Sequence, residues 1–194
     1  AGATSSGKTT LANALLAELA ATGDRVLVLE DTVALQCGAR DHVPLRTRQG
    51  VVSMQELVRS SMRLRPDRVV VGEVRGAEAL DLIKVWGTGH PGGIATIHAG
   101  SALGALLRLE QLILEVAVNP PRALIAEAVN VVIHIAGRGR KRRIESIARV
   151  VGFDGVGYQL VDALETPFPE LPPIPDAAPA AATSSSPDQP GELP

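Results

Sequence analysis

The chain has 194 residues, a formal net charge of −2 and 45% hydrophobic residues, enough for one sizeable domain and no argument for or against a nucleic-acid partner. Only 2% of residues are aromatic, so the core must be aliphatic, and the lone cysteine, Cys37, excludes an internal disulfide and fits a reducing compartment. Residues 85–107 lack Asp, Glu, Lys and Arg, but Gly87, Gly89, Pro91, Gly92, Gly93 and two histidines interrupt them, so they do not form a membrane span.

The chain begins with its most specific pattern. Residues 2–9 read Gly-Ala-Thr-Ser-Ser-Gly-Lys-Thr, a full G-x-x-x-x-G-K-[ST] phosphate-binding loop. Gly2 and Gly7 let the backbone curl so that its N–H groups face phosphate oxygens. Lys8 can reach the β- and γ-phosphates, and the Thr9 hydroxyl can ligate Mg²⁺. The nucleotide-binding set is Gly2, Ala3, Thr4, Ser5, Ser6, Gly7, Lys8, Thr9 and Thr10. Such a loop must open a helix, and Leu11, Leu15 and Leu19 recur at helical spacing before Gly23. The strand that launches the loop is expected upstream of Ala1, which makes the chain a fragment.

Two apolar runs without alternation, 25–29 and 68–72, read as central parallel strands, the first ending in Glu30 and Asp31, the second in Glu73. Between them Ser53 and Glu56 form a capping box for a helix that Pro66 ends. A helix is expected over 77–88, a strand over 94–99 and a helix over 102–115. Strands and helices alternating after a phosphate loop imply a doubly wound α/β sheet.

The pattern then changes. Asn119 and Pro120 read as N-cap and first-turn proline of a short helix to Ala128. Residues 131–136 and 144–151 flank Gly-Arg-Gly-Arg as a β-hairpin, with 158–161 as a third strand. From 167 onward nine of 28 residues are proline, a composition expected to stay disordered. The expected division is therefore an α/β domain over 1–165 and a tail over 166–194.

Hydrolysis of a triphosphate needs a carboxylate to orient water and a group that senses the γ-phosphate, placed at the carboxyl ends of strands. Glu30, Asp31, Glu73 and His98 stand at such ends. Neighbours on a strand point to opposite faces, so only one of Glu30 and Asp31 can address a metal directly. The run 138–143 holds the densest positive charge, read either as a solvated turn or as a contact for DNA, anionic lipid or protein. Aromatic residues for base stacking are missing around it.

Residues 65–76, 88–93 and 96–99, with Leu-Glu-Asp-Thr at 29–32, resemble the Walker B, His-box and Asp-box elements of the type II/IV secretion ATPase superfamily. The likeness runs over about residues 1–162. Glu30, Asp31 and Thr32 with Leu35, Gln36 and Cys37, and 121–128 followed by the hairpin, are similar to TrbB-type conjugal transfer ATPases. That resemblance implies a RecA-like P-loop fold sandwiched by helices, and an ATP- and Mg²⁺-dependent motor that forms a homo-hexamer. It also implies a position on the cytoplasmic face of the bacterial inner membrane, beside inner-membrane components of the transfer apparatus, without sequence-specific nucleic-acid binding.

By the same resemblance Glu73 is the water-activating carboxylate, His98 the γ-phosphate sensor, and Asp31, with Glu30 beside it, a metal- or water-positioning acid. Ala34 stands where the superfamily often has a second acid, which shifts weight onto Glu73. The relatives' N-terminal domain, which supplies arginines, is not in the chain, and Arg59, Arg63, Arg65 and Arg75 receive no assigned role. ATPase activity is expected to be impaired in this form. A type II secretion or pilus ATPase is the nearest alternative, although Cys37 alone cannot build the four-cysteine zinc insertion of some pilus relatives. A non-catalytic fragment and a RecA-type helicase or recombinase are the others.

Overall fold

The computed structural model describes residues 1–165, and the tail expected from 166 onward lies outside the described residues. Helix α1 (Lys8–Leu19) follows the loop, and strand β1 (Val26–Glu30) follows α1. All five β1 residues are buried, as a strand covered on both faces requires. Val26 and Val28 pack with Ala12 and Leu16 of α1 on one face. Leu27 and Leu29 turn to the other face and join the main core. The two-residue period of the strand thus sorts one apolar run into two helix layers.

Strand β2 (His42–Arg46) and strand β3 (Arg68–Val71) pair parallel with β1 on either side. Strand β4 (Ile94–Ala95) pairs parallel with β3, giving the order β2-β1-β3-β4. β2 escapes the sequence reading because it lies at the edge, with alternating exposure and a proline, Pro44, that only an edge tolerates. Helix α2 (Met54–Ser61) begins with the expected capping box: Glu56 N–H donates to Ser53 Oγ at 3.2 Å and Ser53 N–H donates to Glu56 Oε2 at 2.7 Å. Helix α3 (Glu78–Gly87) and helix α4 (Ala102–Ile113) complete that face.

Two expectations are corrected. The strand foreseen over 94–99 is regular only at Ile94–Ala95. Beyond it the carbonyl of Thr96 accepts from Val74 N–H at 2.9 Å and that of Ile97 accepts from Gly2 N–H at 3.3 Å. Helix α5 (Arg122–Ala128) starts two residues later than Asn119–Pro120 suggested, with Pro121 as its N-cap. A proline disfavours helical backbone in the residue before it, so Pro120 cannot open a helix ahead of Pro121.

Strand β5 (Val131–Ala136), strand β6 (Arg143–Phe153) and strand β7 (Tyr158–Asp162) form a separate antiparallel sheet. Ala1 and Gly2 join the two sheets. Ile135 N–H donates to Ala1 O at 2.9 Å, Gly2 bridges Ile135 in parallel, and Gly2 N–H reaches Ile97 O. Beside this strip runs a slot of about 470 Å³, lined mostly by aliphatic side chains including Leu15, Leu82, Leu106, Val131 and Ile133. Buried Glu110 of α4, bonded to Arg122 of α5 at 2.9 Å, ties that helix pair together.

Candidate functional site

The loop that opens α1 is shaped by two left-handed residues, Ser5 at φ 62° and Gly7 at φ 103°. Left-handed turns of this kind tilt successive N–H groups inward and build an anion-sized concavity. Gly7 is the N-cap of α1, and having no side chain it leaves the first amides of the helix uncapped. Ser6 is buried, and its Oγ has no hydrogen-bond partner among the described residues. At Gly2 a Cβ would sit 2.5 Å from Ser6 Oγ and 2.6 Å from Ile135 O, so only glycine fits where the loop leaves the sheet. Thr9 and Thr10 stand exposed on the first turn of α1.

Lys8 is folded back on its own loop. Its Nζ donates to Gly2 O and Ala3 O, both at 3.0 Å, and lies 3.5 Å from His98 Nδ1. Burial lowers the Lys8 pKa; the Glu73 carboxylate opposes that shift and the Arg75 charge reinforces it. His98 continues the chain. Its Nε2 is 2.5 Å from Glu73 Oε1. The other oxygen, Glu73 Oε2, accepts from Arg75 Nε at 2.9 Å and from a second guanidinium nitrogen. Arg75 also stands 3.7 Å from Asp31 Oδ2, whose second oxygen accepts from Thr47 Oγ1 at 2.7 Å.

The ends of β1 and β3 and the segment after β4 thus bring Lys8, His98, Glu73, Arg75 and Asp31 into one polar chain. Glu73 reaches this position because β3 runs out at Val71 and Gly72 N–H still bonds Leu29 O at 2.9 Å, extending the strand toward the loop. Thr96 Oγ1 donates to Gly72 O at 2.7 Å and fixes the segment that carries His98. The arrangement can hold an anion on a cationic loop with a carboxylate and an imidazole alongside.

Glu30 is not part of that chain. It is buried, and its Oε1 accepts the amides of Ala34 and Leu35 at 3.0 and 2.8 Å. Glu30 therefore holds the loop after β1, whereas Asp31 faces the cluster. Sequence reasoning missed Arg75 as the link between two acids, for which its place two residues after Glu73 was the only signal. It also missed Arg142, which is described below.

A doubly wound sheet with an uncapped, glycine-bounded loop opening α1 defines a phosphate-loop α/β protein. Within that class the chain belongs to the type II/IV secretion system protein family, whose model matches residues 1–145. It is 49% identical over 160 residues to the conjugal transfer protein TrbB of Rhizobium radiobacter, covering 81% of this chain and 49% of that protein. It is 37% identical over 163 residues to the type IV secretion system protein PtlH of Bordetella pertussis, covering 76% and 48%. Among solved structures it resembles the VirB11 ATPase of the Brucella suis type IV secretion system in complex with sulphate, with TM-score 0.69, 33% identity and coverage of 76% and 46%. The pilus retraction motor PilT with bound ADP, at 20% identity and TM-score 0.56, shares the fold. The chain spans about half the length of the curated relatives it matches.

Proposed function

We propose that the chain carries the ATP-hydrolysing site of a motor for conjugative transfer or type IV secretion. The observation behind this reading is the shared Glu73 carboxylate, flanked by His98 and Arg75 beside a phosphate loop whose lysine forms no ion pair among the described residues. Relatives named for conjugal transfer and type IV secretion support that use over a type II secretion or pilus motor.

On this reading the triphosphate draws Lys8 from the carbonyls of Gly2 and Ala3 onto the β- and γ-phosphates, and the uncapped amides at the start of α1 bond phosphate oxygens. The Thr9 hydroxyl fits a magnesium ligand because it stands exposed on the first turn of α1, and Glu73 and Asp31 would hold the ion's waters. Magnesium supplies neutralisation of charge on the β- and γ-phosphates. Glu73 accepts a proton from the attacking water, His98 reads the γ-phosphate, and Arg75 sets the direction of the carboxylate. Homo-hexamer formation, a cytoplasmic position on the inner membrane and contact with inner-membrane components belong to the same proposal. Among the described residues no helix is long and apolar enough to cross a membrane.

The test is phosphate release from ATP by the purified protein, paired with a plasmid-transfer assay in cells carrying the same allele. Lys8→Ala should abolish both, because the phosphates lose their fixed cation. Hydrolysis by Lys8→Ala at the wild-type rate would remove the loop from the site.

A further inference from the structure

The basic turn between β5 and β6 does not point away from the site. Gly2 bridges Ile135 in parallel, so the chain start and β5 leave their pairing in the same direction. The phosphate loop grows from one segment and the turn grows from the other. The turn is also tightly determined. Gly137 has φ 81°, and a Cβ there would meet the carbonyl oxygen of Lys141 at 2.1 Å, so the backbone folds directly onto itself. A 3₁₀ turn, Gly139–Lys141, follows, closed by Lys141 N–H on Arg138 O at 3.1 Å and Arg142 N–H on Gly139 O at 3.4 Å.

This fold-back delivers one side chain to the loop. A Cβ on Gly7 would lie 3.4 Å from Arg142 Cδ and 3.9 Å from Arg142 Nε. Arg142 is exposed, and its guanidinium has no hydrogen bond or ion pair among the described residues. Its neighbour Arg143 does, bonding Glu145 at 2.8 Å. The residue nearest Gly7 in the turn is thus an uncommitted guanidinium. It sits over the N-cap whose missing side chain leaves the amides of α1 open to an anion.

We propose that Arg142 is a nucleotide ligand in the same subunit, closing over the loop at Gly7 and holding the phosphate chain of the bound nucleoside di- or triphosphate. The proposal rests on the reading of residues 2–9 as a triphosphate site and deepens it. A guanidinium suits the task because its planar fork can give two parallel N–H···O bonds to phosphate oxygens, and it keeps its charge at every working pH. Lys8 reaches the phosphates from the helix side and Arg142 covers them from the turn. Because the bond is to phosphates present in product as well as substrate, Arg142 governs affinity for ADP and ATP alike.

The experiment is equilibrium binding of fluorescent ADP and ATP analogues to the purified full chain, compared for wild type, Arg142→Ala, Arg142→Lys, Arg140→Ala and Lys8→Ala, with circular dichroism for each. Loss of a charge-assisted phosphate contact should weaken both nucleotides by about tenfold to a hundredfold in Arg142→Ala. Arg142→Lys should recover part of that, keeping the charge without the fork, and Arg140→Ala, on the same turn, should stay within about twofold. Unchanged affinity in Arg142→Ala, or equal weakening in Arg140→Ala, would overturn the assignment, the second because diffuse charge would then explain the effect. Loss of oligomer mass with affinity intact would make Arg142 an interface residue and would also overturn it. Undiminished binding by Lys8→Ala would instead sink the triphosphate site itself, and the proposal would fall with it.

Discussion

His98 Nε2 stands 2.5 Å from Glu73 Oε1 while Arg75 bonds the opposite oxygen, so the carboxylate has a nitrogen beside each of its oxygens. A carboxylate placed between an imidazole and a guanidinium has its direction set by them. For a water-activating base the consequence is orientation before the substrate arrives.

Glu73→Gln keeps the shape of the side chain but cannot take a proton from water. ATP binding should persist while turnover falls by roughly 10²–10⁴-fold. Single-turnover hydrolysis beside nucleotide affinity checks this. A collapse in affinity with normal turnover per bound nucleotide would make Glu73 a structural residue.

Glu30→Ala should act on the fold and leave the chemistry alone. Two loop amides, Ala34 and Leu35, would lose a buried acceptor, at about 1–3 kcal/mol for each unsatisfied group. For a domain of this size the melting midpoint shifts by about 2–4 °C per kcal/mol. Thermal unfolding followed by kcat per folded molecule separates the two effects. An unchanged midpoint with lost turnover would return Glu30 to the catalytic set.

Tyr158 is the only tyrosine in the chain and is buried beside Glu110. Burial, then the Glu110 carboxylate, pushes its phenol above the ordinary value of 10.0. A raised folded pKa means that the stability tied to the neutral phenol is full below the unfolded value and is lost as pH climbs through the folded one. Tyrosinate absorbance should therefore rise only well above pH 10.0, alongside unfolding. Tyr158→Phe should flatten the alkaline loss of stability. Ionisation near pH 10.0 with the fold intact would contradict the burial of this ring.

The sequence exposed whatever local chemistry enforces. The loop over 2–9, the capping box at Ser53 and Glu56, and the buried run of β1 each rest on short-range physics, and each stands where the pattern placed it. Edge strand β2 stayed hidden because its pattern of half-buried residues around Pro44 carries no apolar run. The division of labour between Glu30 and Asp31 was legible only as a choice, since alternation says that they part but not which faces the site. Arg142 was illegible for a different reason. It lies 135 residues from Gly7, and the pairing of Ala1 and Gly2 with β5 brings the two together.

The slot beside Ala1 and Gly2 sets how this fold responds to compression. About 470 Å³ bordered mainly by aliphatic carbon is loosely filled space, part of it open to solvent, and its sheltered part vanishes when the chain unfolds. The folded form is then the bulkier state by a margin that grows with that space, so hydrostatic pressure drives the equilibrium toward the denatured chain. The seam between the two sheets, where Ala1 and Gly2 meet β5 beside that space, is the part of the fold that compression loads most directly.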